Sequence, residues 1–421
     1  IQLKADATWQ AQRSHQFKFG VEYKTFGLEK DLNGKDVGGI RFLEYQLPWM
    51  RGYPSYYHLK PEEATAYIQD KMDFQNFIVN LGVRLDYANS KGQAWRDWQD
   101  PTSGVEKGRK KYQISPRIGV GHPITDRATF HFNYGHFFQV PDYRDLYSNQ
   151  HLDLNSPLPF FGWAHMDAQR TISYELGVDY QFSDFWKFTI AAWAKENNGN
   201  AGSFRLTGFD PDSLGGYSFG SSKGIDFSIE KRPSDNYFLE LQYTLSVAKA
   251  NQYYSWAGYW DGQTADTRAK KEYLYRYDSP HQLTGLFGIQ FLKGDGPNLF
   301  GLKPLENFLM QYSIRVRSGY PYTPSQGGQS LEPNTARRPM VWNVDAVFRK
   351  DFLFAGRFRA GIVARVLNLF DLKNVLSVYS ETGSPSDPNP GYSKTNYSTN
   401  WDRPWHWTRG RVVDMGFRIE F

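Results

Sequence analysis

The chain has 421 residues, 17% of them aromatic and 22% charged, with 49 Lys and Arg against 44 Asp and Glu and no cysteine. Lacking cysteine, it can have neither a disulfide framework nor a thiolate metal site, and a net charge of +5 spread along its length is not the basic patch that nucleic-acid binding needs. No run approaches the roughly 18 uncharged apolar residues of a spanning helix, so a membrane reading has to rest on strands.

The first residue is Ile1, with neither an initiator Met nor a signal-peptide pattern, as expected of a mature or truncated product. In residues 1 to 9, Leu3, Ala5, Ala7 and Trp9 alternate with Gln2, Lys4, Asp6 and Thr8. Residues 15 to 26 repeat the pattern, with Phe17, Phe19, Val21 and Tyr23 against Lys18, Gly20, Glu22 and Lys24. Period two marks a strand with one oily and one wet face, and the short link between these runs predicts a hairpin. An insertion rich in Gly, Pro and aromatics extends to about Pro61. Strands over 64 to 74 and 77 to 88 follow, the second setting Phe77, Val79, Leu81, Val83 and Leu85 against Asn80, Arg84 and Asp86. In the first of these, Asp70 shares the parity of Ala66, Ile68 and Met72, which a bulge or an interfacial depth would explain.

The rhythm of long loop, strand, short turn, strand then repeats. Pairs are predicted near 112 to 121 with 128 to 138, 170 to 182 with 186 to 197, and 221 to 232 with 236 to 250. Others fall near 281 to 293 with 306 to 319 and 340 to 353 with 356 to 370. Connections short at one end and long at the other suit the periplasmic turns and extracellular loops of an outer-membrane barrel. A propeller would need four comparable strands per blade. Runs of ten or more residues also fit tilted membrane spans better than ordinary strands of about 5 to 6 residues.

The last run, Arg411 to Phe421, puts Val413, Met415, Phe417, Ile419 and Phe421 on one face and Asp414, Gly416, Arg418 and Glu420 on the other. An uncovered half-oily edge strand invites aggregation in water, whereas a closed barrel in lipid satisfies it. The fold class expected is all-β, a transmembrane antiparallel β-barrel of about fifteen strands over residues 1 to 421. With Phe421 at the periplasmic end, an odd count puts Ile1 at the extracellular end. The expectation is therefore a C-terminal part of a 22-stranded barrel, with roughly seven strands and a plug upstream.

Asp414, Gly416, Ile419 and Phe421 resemble the C-terminal assembly signal of bacterial outer-membrane barrels. Tyr112 to Arg127 (YQISPRIGVGHPITDR) and Phe130 to Tyr147 (FHFNYGHFFQVPDYRDLY) look like the mid-barrel region of TonB-dependent outer-membrane receptors, closest to the Oar-like, carboxypeptidase-regulatory-like members of Bacteroidota and their relatives. Asn343 to Phe352 and Val366 to Asn374 are similar to the penultimate hairpin of that family. The likeness runs patchily from about residue 60 to 421. It implies energy-coupled transport through a plugged barrel in the outer membrane of a diderm bacterium, with the TonB complex as partner through an N-terminal region.

Candidate ligand-facing residues lie in aromatic loops: Tyr253, Tyr254, Trp256, Tyr259 and Trp260, then Trp401, Trp405, His406 and Trp407, with Trp95 and Trp98 as a third group. Flat rings stack on ligands at small entropic cost; the plainer role, an aromatic girdle at headgroup level, is favoured, most of all for Trp405 to Trp407. Arg315, Arg317, Arg359 and Arg365 are expected to face the lumen, where Asp345, Glu240 and Asp226 could pair with them as ordinary wall charges. His131 and Asn133 share that face as wall residues, and His136 faces lipid near a rim. Asp210, Asp212 and Ser213 could offer oxygens to calcium but lack the ligand spacing, so a turn is expected there. The loop from Ser384 to Gly391 is likewise read as a turn. Neither G-x-S-x-G, a P-loop nor H-E-x-x-H occurs, and the expectation is a non-enzyme without catalytic residues, metal or cofactor. The function expected is a TonB-dependent receptor that moves a solute or peptide, with outer-membrane lipid around it. The alternative is a non-transporting structural or adhesive barrel that contacts a surface lipoprotein or assembly partner; a lipid-directed hydrolase is a third, weaker reading.

Overall fold

The computed structural model describes residues 1–30, 57–97, 100–147, 160–205, 212–252, 271–354, 358–388 and 403–420. Fifteen strands form one antiparallel sheet in chain order. They are β1 (Gln2–Gln12), β2 (His15–Thr25), β3 (Glu62–Phe74), β4 (Phe77–Asn89), β5 (Lys111–Thr125), β6 (Ala128–Gln139), β7 (Gln169–Tyr180), β8 (Trp186–Arg205), β9 (Asp212–Ser234), β10 (Tyr237–Ala250), β11 (His281–Phe291), β12 (Phe308–Arg317), β13 (Val341–Phe354), β14 (Phe358–Leu367) and β15 (Val412–Glu420). Among the described residues, β1 and β15 each pair on one side only.

Register carries the alternation from strand to strand. Ala5 lies opposite Val21, Val21 opposite Ala66, Ala66 opposite Leu85 and Leu85 opposite Ile114. At the far side Val344 faces Ile314, and Val366 links Ala346 to Val413. A slip by one residue would send each oily row to the other face, so fourteen consecutive pairings hold a single apolar surface. That surface has no second layer among the described residues: Phe417 is 80% and Ile114 66% exposed. A continuous apolar face of this extent is untenable in water and is what hydrocarbon accepts around a barrel wall.

Asp70 sits on this apolar face without any bulge, since β2, β3 and β4 pair in unbroken register. The physical reason is a partner: His15 Nδ1 lies 2.8 Å from Asp70 Oδ2, at the short-turn end of the strands. Phe17 stacks on the His15 ring at 6.4 Å, and Phe74 meets it edge-on at 6.3 Å. The couple is thus placed at the rim of the oily band, where a polar pair costs least.

At the opposite end the connections have structure of their own. Strands β8 and β9 run eight and nine residues past the predicted ends, reaching Arg205 and starting at Asp212. Asp212 and Ser213 are strand residues paired with Phe160 and Phe161, not a turn, and Asp210 lies outside the described residues. Gln93–Asp97 and Asp100–Lys107 form a hairpin above the sheet, and a five-residue helix, α1, spans Tyr143–Tyr147.

Candidate functional site: a capped cavity on the polar face

The chain leaves β6 through the buried Pro141 and enters α1, with Asp142 as its cap. Asp142 Oδ1 accepts the Arg144 N–H at 2.9 Å, and its carbonyl accepts from Asp145 at 2.8 Å. Leu146 and Tyr147 are fully buried and form the main apolar cluster with Met166 and Ala201, packed by Leu28, Leu59 and Trp163. Tyr147 stacks on Tyr143 at 5.4 Å and donates its hydroxyl proton to the Ser90 carbonyl. Gly108 permits the next layer: a Cβ there would come within 2.8 Å of the Ala164 methyl. The Trp163 indole N–H donates to the Trp95 carbonyl at 3.3 Å, tying the 93–107 hairpin to the cap.

His165 lies beneath this layer with no exposed side-chain surface. Its Nδ1 accepts the Arg109 N–H at 3.1 Å, which places the proton of the neutral ring on Nε2. Nε2 is 3.3 Å from Glu106 Oε1, without hydrogen-bond geometry. Burial depresses the His165 pKa; Glu106 opposes the effect, and Arg109 and Lys111 reinforce it. Burial likewise raises the Tyr147 and Tyr143 hydroxyls, the latter helped by its bond to Glu63.

Under α1 the polar face of β2, β3 and β4 encloses a cavity of about 420 Å³. Glu22, Glu63, Asp86 and Asp142 line it against two cationic side chains, Lys24 and Arg84. Lys24 Nζ is 3.0 Å from Glu22, and Tyr143 donates to Glu63 at 2.8 Å. Arg84 Nε donates to Asp86 Oδ1 at 2.8 Å and its Nη2 to Thr65 at 3.0 Å. Asp86 Oδ2 is buried without a partner, so the wall of the cavity carries one unused acceptor. A second polar cavity of about 680 Å³ continues along the same face, past Asn80, Arg117, Asn133 and Glu175.

The aromatic candidates fare differently. Trp95 is 3% exposed and belongs to the cap's interior, so it cannot stack on a ligand. Trp98, Tyr253, Tyr254, Trp256, Tyr259, Trp260 and Trp401 lie outside the described residues. Trp405 is exposed, whereas His406 is buried with Nδ1 2.7 Å from the Pro385 carbonyl, and Trp407 bridges to Val375. On the polar face, Arg315 lies 3.7 Å from Asp345 and Arg359 lies 3.5 Å from Glu420. Arg365 stands opposite Asp414 and Arg317 opposite Gln282. Glu240 and Asp226 serve Gln242 and Thr244, at 2.7 and 2.6 Å, not these arginines. His131 stands between Glu175 and Asp179 at 3.8 and 3.7 Å, and His136 meets Tyr134 at 2.5 Å on the apolar face. Of the assembly residues, Asp414 and Gly416 face the polar side and Ile419 the apolar side; Phe421 is outside the described residues. Among the described residues no three His, Asp or Glu side chains are grouped as metal ligands.

Sequence reasoning missed Glu63, Asp142, Tyr143 and His165. The first three come together only through the fold of the long connections; the one local signal was Pro141–Asp142 ahead of Tyr-Arg-Asp-Leu-Tyr, a helix start.

No curated protein matches the chain. Among solved structures, the FrpB iron transporter from Neisseria meningitidis (F3-3 variant) is 12% identical, with TM-score 0.63 over 98% of this chain and 53% of that one. The copper transporter OprC is 11% identical, with TM-score 0.58 over 99% and 56%. FpvAI in its pyocin S2 complex is 12% identical, with TM-score 0.60 over 100% and 46%. The chain therefore spans about half the length of the structures it matches, and at these identities the likeness is one of fold. A family profile described as TonB dependent receptor-like, beta-barrel matches residues 2–412, nearly all of the strand-bearing chain, and by that match the chain belongs to the TonB-dependent receptor family.

Proposed function

We propose that the chain forms wall and mouth of an outer-membrane receptor that captures a solute at its long-loop end and passes it inward by energy coupled through TonB. The observation that carries this reading is the cavity beneath α1. It is polar, its wall charges are set by cross-strand register, and a buried carboxylate oxygen in it has no partner. Such a site holds hydrogen-bond donors in fixed directions, which a barrel acting only as a scaffold does not need. Family membership and neighbours named as iron and copper transporters support transport as the activity. The matching lipid-facing band supports an outer-membrane location, with the short turns on the periplasmic side.

The test is growth or uptake in the native organism on single solutes, comparing wild type, a strain lacking the energising complex, and Asp86→Asn. Asp86→Asn keeps the side chain's shape and its Thr65 neighbour but withdraws the carboxylate. Uptake that needs the energising complex and falls at least about tenfold in Asp86→Asn, a loss of one buried charged hydrogen bond, is the expected result. Uptake of every solute independent of the complex would sink the transport reading.

A further inference from the structure

Away from the capped cavity, Arg317 and Arg338 lie at one place where no carboxylate among the described residues pairs with them. Beyond β12 the wall continues as a two-stranded ribbon, Pro321–Tyr322 with Ala336–Arg337. The ribbon is fastened to the segment before β11: Asn334 Nδ2 donates to the Leu274 carbonyl at 2.7 Å, and Arg337 forks onto Asp278. Asp278 also accepts the Ala248 N–H at 2.6 Å, so its carboxylate is spent. At the base, Gly319 cannot carry a side chain, because a Cβ there would fall on the Arg338 carbonyl.

This base brings the Arg317 side chain and the Arg338 backbone to Tyr320. The Arg317 guanidinium lies 3.9 Å from the Tyr320 ring centroid, and the Arg338 backbone N–H donates to the Tyr320 carbonyl at 3.1 Å. Tyr277 meets Tyr320 edge-on at 5.6 Å. Arg338 gives one Nη to the Leu376 carbonyl, while its Nε is buried without a partner. Neither Arg317 nor Arg338 has an Asp or Glu within ion-pair distance among the described residues. Burial, then the positive charges of Arg317 and Arg276, hold the Arg338 pKa below its usual value. A partly buried guanidinium without a counter-ion gains when an anion joins it, and its planar fork matches the oxygens of phosphate and carboxylate.

We propose that Arg317 and Arg338, with the Tyr277–Tyr320 pair beside them, form a binding site for an oxyanion, a phosphate or carboxylate group, at the long-loop end of the barrel wall. Given the orientation proposed above, such a group can come from a solute in the medium or from the phosphorylated headgroup of an outer-leaflet lipid.

The full-length receptor in dodecyl maltoside is titrated calorimetrically with pyrophosphate, and in parallel placed in phosphatidylcholine nanodiscs doped with phosphatidic acid for native mass spectrometry. Pyrophosphate binding that weakens at least about tenfold in Arg317→Gln and in Arg338→Lys, which keeps the charge and loses the fork, supports a soluble oxyanion. Selective retention of phosphatidic acid, lost in the same variants, supports a lipid headgroup. Arg315→Gln, whose partner is Asp345, is expected to change either result less than about twofold. No binding of either probe, or binding unchanged in Arg317→Gln, overturns the proposal. Heat-modifiable migration checks the fold of each variant, and Arg317→Lys replaces Arg317→Gln if the latter does not fold.

Discussion

His165 has a neutral ring because its Nδ1 is already committed as acceptor to the Arg109 N–H. Its folded pKa lies below the unfolded value of 6.5. The stabilisation it contributes is therefore present above that value and is lost as pH falls through it, since the unfolded segment takes the proton first. The amide of Arg109 is expected to be well protected from hydrogen exchange at pH 7.5 and less so at pH 5.5, after correction for intrinsic rates. His165→Phe should remove the difference; equal protection in wild type at both pH values would show that the ring is not the acceptor. Nothing near His165 in sequence announces this role, because Arg109 and Glu106 reach it across more than fifty residues. Asp70 teaches the same lesson from the other side. Its parity marked it as anomalous in sequence, yet the cause, His15, sits 55 positions away.

At the scale of elements, the fifteen strands were legible because each writes its own period-two pattern, and a barrel wall imposes that pattern on every strand. The cap was not. Its residues obey no period: α1 is five residues long, the 93–107 hairpin is polar and short, and the extensions of β8 and β9 leave the membrane band, so their faces no longer alternate. What holds the cap is the burial of Tyr147, Leu146 and Met166 of the β6–β7 connection with Ala201 of the β8 extension, packed by Leu28 and Leu59 of the β2–β3 connection. Tyr147→Ala removes the largest fully buried side chain and its bond to Ser90, a change expected to cost about 3–5 kcal/mol locally. Limited proteolysis should then cut the cap, while the barrel below still migrates as a heat-modifiable band. Gly108→Val is expected to do the same by overpacking Ala164, at about 1–3 kcal/mol. If both variants resist protease as wild type does, the cap is held by something other than this cluster.

For the whole molecule, the governing relation is between the two faces of one sheet, and adjacent residues of β4 separate them. Leu81 is on the apolar face, opposite Asp70 and Ile118, and Asn80 on the polar face, where Gln69 Nε2 donates to it at 3.5 Å. The two are adjacent, level with Asp70 and Lys71 of β3 towards the short-turn rim, so they share depth and backbone and differ only in what their side chains meet. In hydrocarbon a charge near the midplane costs about 2–4 kcal/mol, and less towards either rim. Leu81 is level with Asp70, towards the short-turn rim, so Leu81→Lys should destabilise the receptor by about 1–2 kcal/mol when unfolded with urea in phospholipid vesicles, followed by tryptophan fluorescence. Asn80→Lys opens onto the polar cavity beside Glu175 and should stay within about 0.5 kcal/mol of wild type. In a detergent-free aqueous fold with a second layer over the apolar rows, the order could not depend on lipid. Moving the pair from thick to thin bilayers then separates the cases: the Leu81→Lys penalty should shrink as residue 81 comes closer to water, and Asn80→Lys should not respond.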